Sequence, residues 1–152
     1  MRFTVLLAFA ALFLALGCNK KVSPEVAPAT TPANEGGVMK MVAFGEIISL
    51  APGETAKVEK TKVTVGFVSV ASDSRCPRGT NCITEGEAFV MVSVGGGAPQ
   101  RVRIDVDPKR TSRLSMEGAT VEFLGLNPYP TGVRIAPAER RLRVRMVKSA
   151  KM

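Results

Sequence analysis

Histidine and tryptophan are absent from the 152-residue sequence, and tyrosine occurs once. Without histidine, neither a Ser-His-Asp nor a Cys-His catalytic set can be assembled, and most zinc hydrolase sites are excluded. Aromatics are scarce: beyond residue 17 there are only Phe44, Phe67, Phe89, Phe123 and Tyr129, so a core has to be built from Val, Ile, Leu and Met. Valine predominates, and this favours strands over helices. No glycine loop suited to phosphate is present, because Gly95-Gly96-Gly97 joins two alternating runs and no helix follows it. Glu85 and Glu87 are the closest carboxylate pair outside the Asp105/Asp107 alternation. At i, i+2 in a strand they share a face, which a glycosidase-like pair would need, but solvated strand charge is the simpler reading. No residue is assigned as catalytic, and no cofactor or metal is indicated. The chain is not read as an enzyme.

What the sequence does have is positive charge, with a formal net of +8. Seven of the basic residues fall between Arg134 and Lys151, where Glu139 is the single acid. Nucleic acid is nevertheless a poor partner, since almost no aromatics accompany this charge and the chain reads as exported.

One apolar run is long, from Phe3 to Leu16 behind the positive Arg2. It is too short for a comfortable membrane span and has the length of a secretion signal. It ends in Ala15-Leu16-Gly17-Cys18, which resembles the lipobox of bacterial lipoproteins, although the commonest version has Leu where Ala15 stands. The resemblance implies that residues 1–17 are removed and that Cys18 becomes the lipid-bearing first residue, holding the protein to a membrane. Asn19, rather than Asp, follows it, and the Gram-negative sorting rule then implies the outer membrane. Residues 18–37 carry Pro24, Pro28 and Pro32 among small polar residues with no apolar period, and read as an extended tether.

From residue 38 to 152 the sequence predicts one all-β domain, an antiparallel β-sandwich or partly open barrel of about seven short strands. Val63, Val65 and Phe67 alternate with Thr64 and Gly66; the run is then apolar on both sides through Val68 and Val70. Alternation also marks Ala88 to Val94, Val102 to Val106, and Leu142 to Met146. Turn signals separate these runs at 51–54, 95–99, 107–108, 117–118 and 127–132. A helix at 108–117 is the rival reading, without a convincing 3.6 period.

Lipid on Cys18 leaves Cys76 and Cys82, six apart in a polar loop. In an oxidising compartment they are expected to pair. A metal site and a redox pair are the alternatives, weakened by the missing histidines and by a spacing that is not Cys-x-x-Cys. Asp73-Ser74-Arg75-Cys76-Pro77, followed by Cys82 and Gly86, resembles the DSRCP signature of a group of uncharacterised exported bacterial domains. The resemblance runs over about residues 44–148 and implies no established activity. Thr84 stands where many members have Trp.

Two candidate binding surfaces follow. The first is the loop bearing Asp73, Arg75, Glu85 and Glu87; for Asp73 and Arg75 the simpler reading is local bonding, with Arg75 bridging to a neighbouring hairpin. The second is the stripe Arg141, Arg143 and Arg145, spaced about 6.6 Å apart on one strand face. It suits anionic envelope components or an acidic envelope protein, while its simpler reading is a charged, solvated edge strand. An envelope binding or structural module is therefore expected. The alternatives are an inhibitor of an exported hydrolase acting through residues 73–86, and an enzyme of unusual type.

Overall fold

The computed structural model describes residues 37–107 and 109–149. The signal expected at 1–17, Cys18 and all of the tether but Gly37 lie outside the described residues. Alternating segments become nine strands: β1 (Met39–Val42), β2 (Ile47–Leu50), β3 (Thr55–Val58), β4 (Thr64–Asp73), β5 (Ala88–Val94), β6 (Gln100–Ile104), β7 (Ser112–Met116), β8 (Ala119–Asn127) and β9 (Arg141–Lys148). They form a five-stranded sheet, ordered β1-β3-β4-β5-β6, and a four-stranded sheet, ordered β2-β9-β8-β7. The two sheets share one core and do not close into a barrel.

The all-β sandwich read from the sequence is thus observed, with two differences. The described residues form nine strands rather than about seven, because β1 and β2 have only four residues each and too little alternation to register. One pairing is parallel, β1 beside β3, with Met39 opposite Thr55 and Val42 opposite Val58. Ile47–Leu50 crosses to the other sheet between them, so β1 and β3 run the same way. The stretch considered as a helix at 108–117 holds β7, a strand paired antiparallel with β8.

Inward side chains follow the period-two pattern. Val63, Val65, Phe67, Ala88, Val90 and Val92 enter the core from one sheet, with Phe67 opposite Val92, while Leu50, Val121, Phe123, Leu142, Val144 and Met146 come from the other. Apart from Ala88, each such side chain contributes about 1.5–3 kcal/mol when fully buried. The turn at 51–54 is closed by Glu54, whose carboxylate accepts from the Ala51 amide and from Lys40 Nζ, both at 2.7 Å. Lys40 also donates to the Ser49 carbonyl at 3.0 Å, which ties β1 to β2 and to this turn. These bonds hold the Glu54 carboxyl below the usual glutamate range.

Candidate functional site

At one end of the sandwich, β4 and β5 extend into a hairpin. Ser74 N–H donates to the Glu87 carbonyl at 2.9 Å and Cys76 N–H to the Glu85 carbonyl at 2.8 Å. The expected disulfide between Cys76 and Cys82 is present, at 2.16 Å, and closes the tip. Gly86, the glycine of the motif, has a φ of +66°.

Just inside this hairpin, Asp73 and Arg75 form a buried ion pair. Arg75 Nε donates to Asp73 Oδ1 at 2.7 Å and Nη2 to Oδ2 at 2.8 Å, a two-pronged contact. The remaining Arg75 nitrogen, Nη1, donates to the Leu126 carbonyl at 2.6 Å, and Nη2 also reaches the Pro128 carbonyl at 3.3 Å. Arg75 therefore bridges the hairpin to the end of β8, as the sequence reading anticipated. Tyr129 lies under two guanidinium groups, 5.0 Å from that of Arg75 and 5.1 Å from that of Arg78.

A third residue, unforeseen from the sequence, completes the cluster. Arg140 Nη1 donates to Asp73 Oδ2, so one carboxylate serves two guanidinium groups. Burial pushes the Asp73 carboxyl up, but hydrogen bonds from Arg75 and Arg140 outweigh it and hold the group below the ordinary aspartate range. An aspartate kept ionised in this way is a poor proton acceptor, so the cluster is suited to positioning and not to acid–base chemistry.

This cluster floors an open cleft of about 750 Å³. One wall comes from β4, through Ser69, Val70 and Ser72; the other is the segment at 132–137, including Val133, Arg134 and Ile135. Arg134 is exposed and has no partner among the described residues. Of its guanidinium nitrogens Arg140 uses only Nη1, leaving Nε and Nη2 unbonded among the described residues.

The other two residues of the candidate loop lie apart from the cleft. Glu87 pairs with Arg103 at 2.8 Å, and Glu85 is exposed on the hairpin. Neither lies within a strand, since β5 begins at Ala88, so the shared strand face that a glycosidase-like pair needs is not formed.

The arginine stripe also differs from expectation. β9 lies between β2 and β8, so it is a central strand and not a charged edge. Its charge meets the buried Glu122 on β8, which accepts from Arg145 at 2.6 and 2.9 Å and from Arg113 at 3.0 Å. Chiefly through the Arg145 bond, the Glu122 carboxyl is held below its usual range. Arg141 donates to the carbonyls of Ala138 and Arg140. Of the three, Arg143 alone makes no side-chain hydrogen bond or ion pair among the described residues, and its cross-strand neighbours are Ser49 and Gly125.

Compared with known protein families, curated proteins and solved structures, the chain matches none.

Proposed function

We propose that the chain is a lipid-anchored protein of the bacterial cell envelope and that its sandwich is a binding module. In this reading Cys18 carries the lipid, residues 18–37 are the tether, Asn19 directs the anchor to the outer membrane, and the DSRCP signature marks a group of exported domains. The Cys76–Cys82 disulfide supports an oxidising compartment. The observation that carries the binding role is the cleft, built on the Asp73–Arg75–Arg140 ion cluster and lined by guanidinium nitrogens of Arg134 and Arg140 that have no acid partner among the described residues. A rigid floor with unspent donors is what a preorganised anion-accepting site requires.

Two measurements test this. Metabolic labelling with a palmitate analogue should mark the wild type and not Cys18→Ser. A photoreactive residue at position 133, which is 75% exposed at the cleft, should give adducts with an envelope component in living cells. The same probe at Glu117, on the β7–β8 turn, should give none. Absence of a position-133 adduct would remove the binding role.

A second reading rests on Ile83, fully exposed near the disulfide-closed tip. A rigid hairpin presenting one apolar side chain is the shape of a wedge-type inhibitor of an exported hydrolase. Ile83→Asp should then abolish inhibition in a panel of extracellular proteases; no inhibition by the wild type would end it.

A further inference from the structure

We propose that the cleft takes a short, extended peptide bearing a carboxylate, added as a strand along the free edge of β4. This rests on the binding-module reading and names its ligand class.

The edge is left by a mismatch in strand length. β3 pairs with β4 only as far as Thr55 opposite Gly66. Two further bonds, Gly53 N–H to the Phe67 carbonyl at 2.7 Å and Phe67 N–H to the Glu54 carbonyl at 2.9 Å, end the pairing. β4 nevertheless runs on to Asp73, and beyond Phe67 β5 is its strand partner among the described residues. From Val68 to Ser72 its other side has no strand beside it among the described residues, and Ser69, Val70 and Ser72 line the cleft. The facing wall is also unpaired: the backbone of Val133, Arg134 and Ile135 makes no hydrogen bond among the described residues. Two backbone stretches with unspent N–H and C=O groups thus face one groove, which is the condition for strand addition.

Charge selects the guest. Among the described residues Asp73 is the one carboxylate lining the cleft, and two arginines pair with it. Arg134 and the remaining nitrogens of Arg140 accordingly await an anion, and a planar guanidinium fork matches a carboxylate. Val70, Val133 and Ile135 supply apolar surface for alternating side chains. The register of β4 shifts between Phe67 and Ser69 and again between Val70 and Ser72, so regular pairing extends over only a few residues and the guest is short. A phosphate-bearing lipid would satisfy the arginines but leave both backbone walls unused, and this favours a peptide.

The test is selection of a randomised octapeptide display library on the full-length chain in detergent micelles, with resynthesis of the enriched peptides. Enriched clones should carry Asp or Glu beside alternating β-branched residues and bind at least about tenfold more tightly than their Asn or Gln counterparts. Arg134→Gln should remove that preference while leaving the far-ultraviolet circular dichroism unchanged. N-methylation of alternate peptide amides should weaken binding about tenfold in one set and not in the other. Failure to enrich acidic peptides overturns the proposal, as does indifference to both N-methylated sets. If instead phosphatidylglycerol vesicles bind in an Arg134-dependent way and peptides do not, the peptide proposal falls, while position-133 adducts would keep the binding-module reading alive.

Discussion

The Ser74 carbonyl oxygen occupies the space a side chain on Gly86 would need, 1.8 Å from an added Cβ. With φ at +66°, the position is closed to other residues on two grounds, backbone conformation and direct overlap with main-chain atoms. Gly86→Ala is therefore expected to destabilise the domain by about 2–4 kcal/mol, read as a shift in urea midpoint. A loss under about 1 kcal/mol would mean that the hairpin base is free to rearrange.

Asp73 contributes to the acid limb of the stability curve. Its pKa is lowered in the folded protein, so its contribution is complete above the unfolded value, about 3.9, and is lost as pH falls toward the folded value. Glu54 and Glu122 are lowered as well and act in the same direction from about 4.3. Unfolding free energy should be nearly flat from about pH 5 to about pH 8, where no histidine titrates, and should fall below about pH 4. Asp73→Asn should flatten part of this limb and cost about 3 kcal/mol at neutral pH, since Arg75 is left buried with half its partner. Chemical denaturation across pH measures both effects.

Reduction of Cys76–Cys82 should be mild globally. A loop this short limits the chain-entropy gain to about 2 kcal/mol. The Cys76→Ser/Cys82→Ser variant should keep its sandwich while amides at 77–85 lose hydrogen-exchange protection. Loss of all sheet signal would show that the bridge holds more than its own hairpin.

The arginines of β9 should separate by partner. Arg145→Gln deprives Glu122 of its main donor and should cost about 1 kcal/mol, a modest figure because Arg145 is partly exposed. Arg143→Gln should change stability by less than about 0.5 kcal/mol. If the stripe meets anionic surfaces, Arg143→Gln should reproduce most of the loss of vesicle binding seen on replacing all three by Gln. That loss should be larger at about 20 mM than at about 200 mM salt. Equal binding by wild type and variants at low salt would leave the stripe a structural feature.

Much of the architecture could be read from the sequence, because buried valines at every second position leave few folds open. The reading failed where local order does not carry the information. Along β4, the sequence shows alternation as far as Phe67 and then an apolar run on both sides through Val68 and Val70, with nothing to mark a bulge. Register shifts after Phe67 and Val70 expose Ser69 and Ala71, bring Val70 partly inward and set Asp73 opposite Ala88. Arg140 meets Asp73 across 67 residues, and nothing near Arg140 announces it, because the partner is supplied by topology. Glu85 and Glu87 sit two apart, but β5 begins only at Ala88, so the strand face that their spacing would share is not formed. The central place of β9 likewise depends on β2 crossing between sheets, which four residues are too few to signal.

The interrupted spacing of β4 bears on how such a domain coexists with crowded copies of itself. A long, evenly spaced open border invites stacking of molecule upon molecule into fibres. Here each irregularity breaks the repeat before a second full-length border can align. On β4 the irregular border therefore suits a brief visitor better than an extended stack of copies.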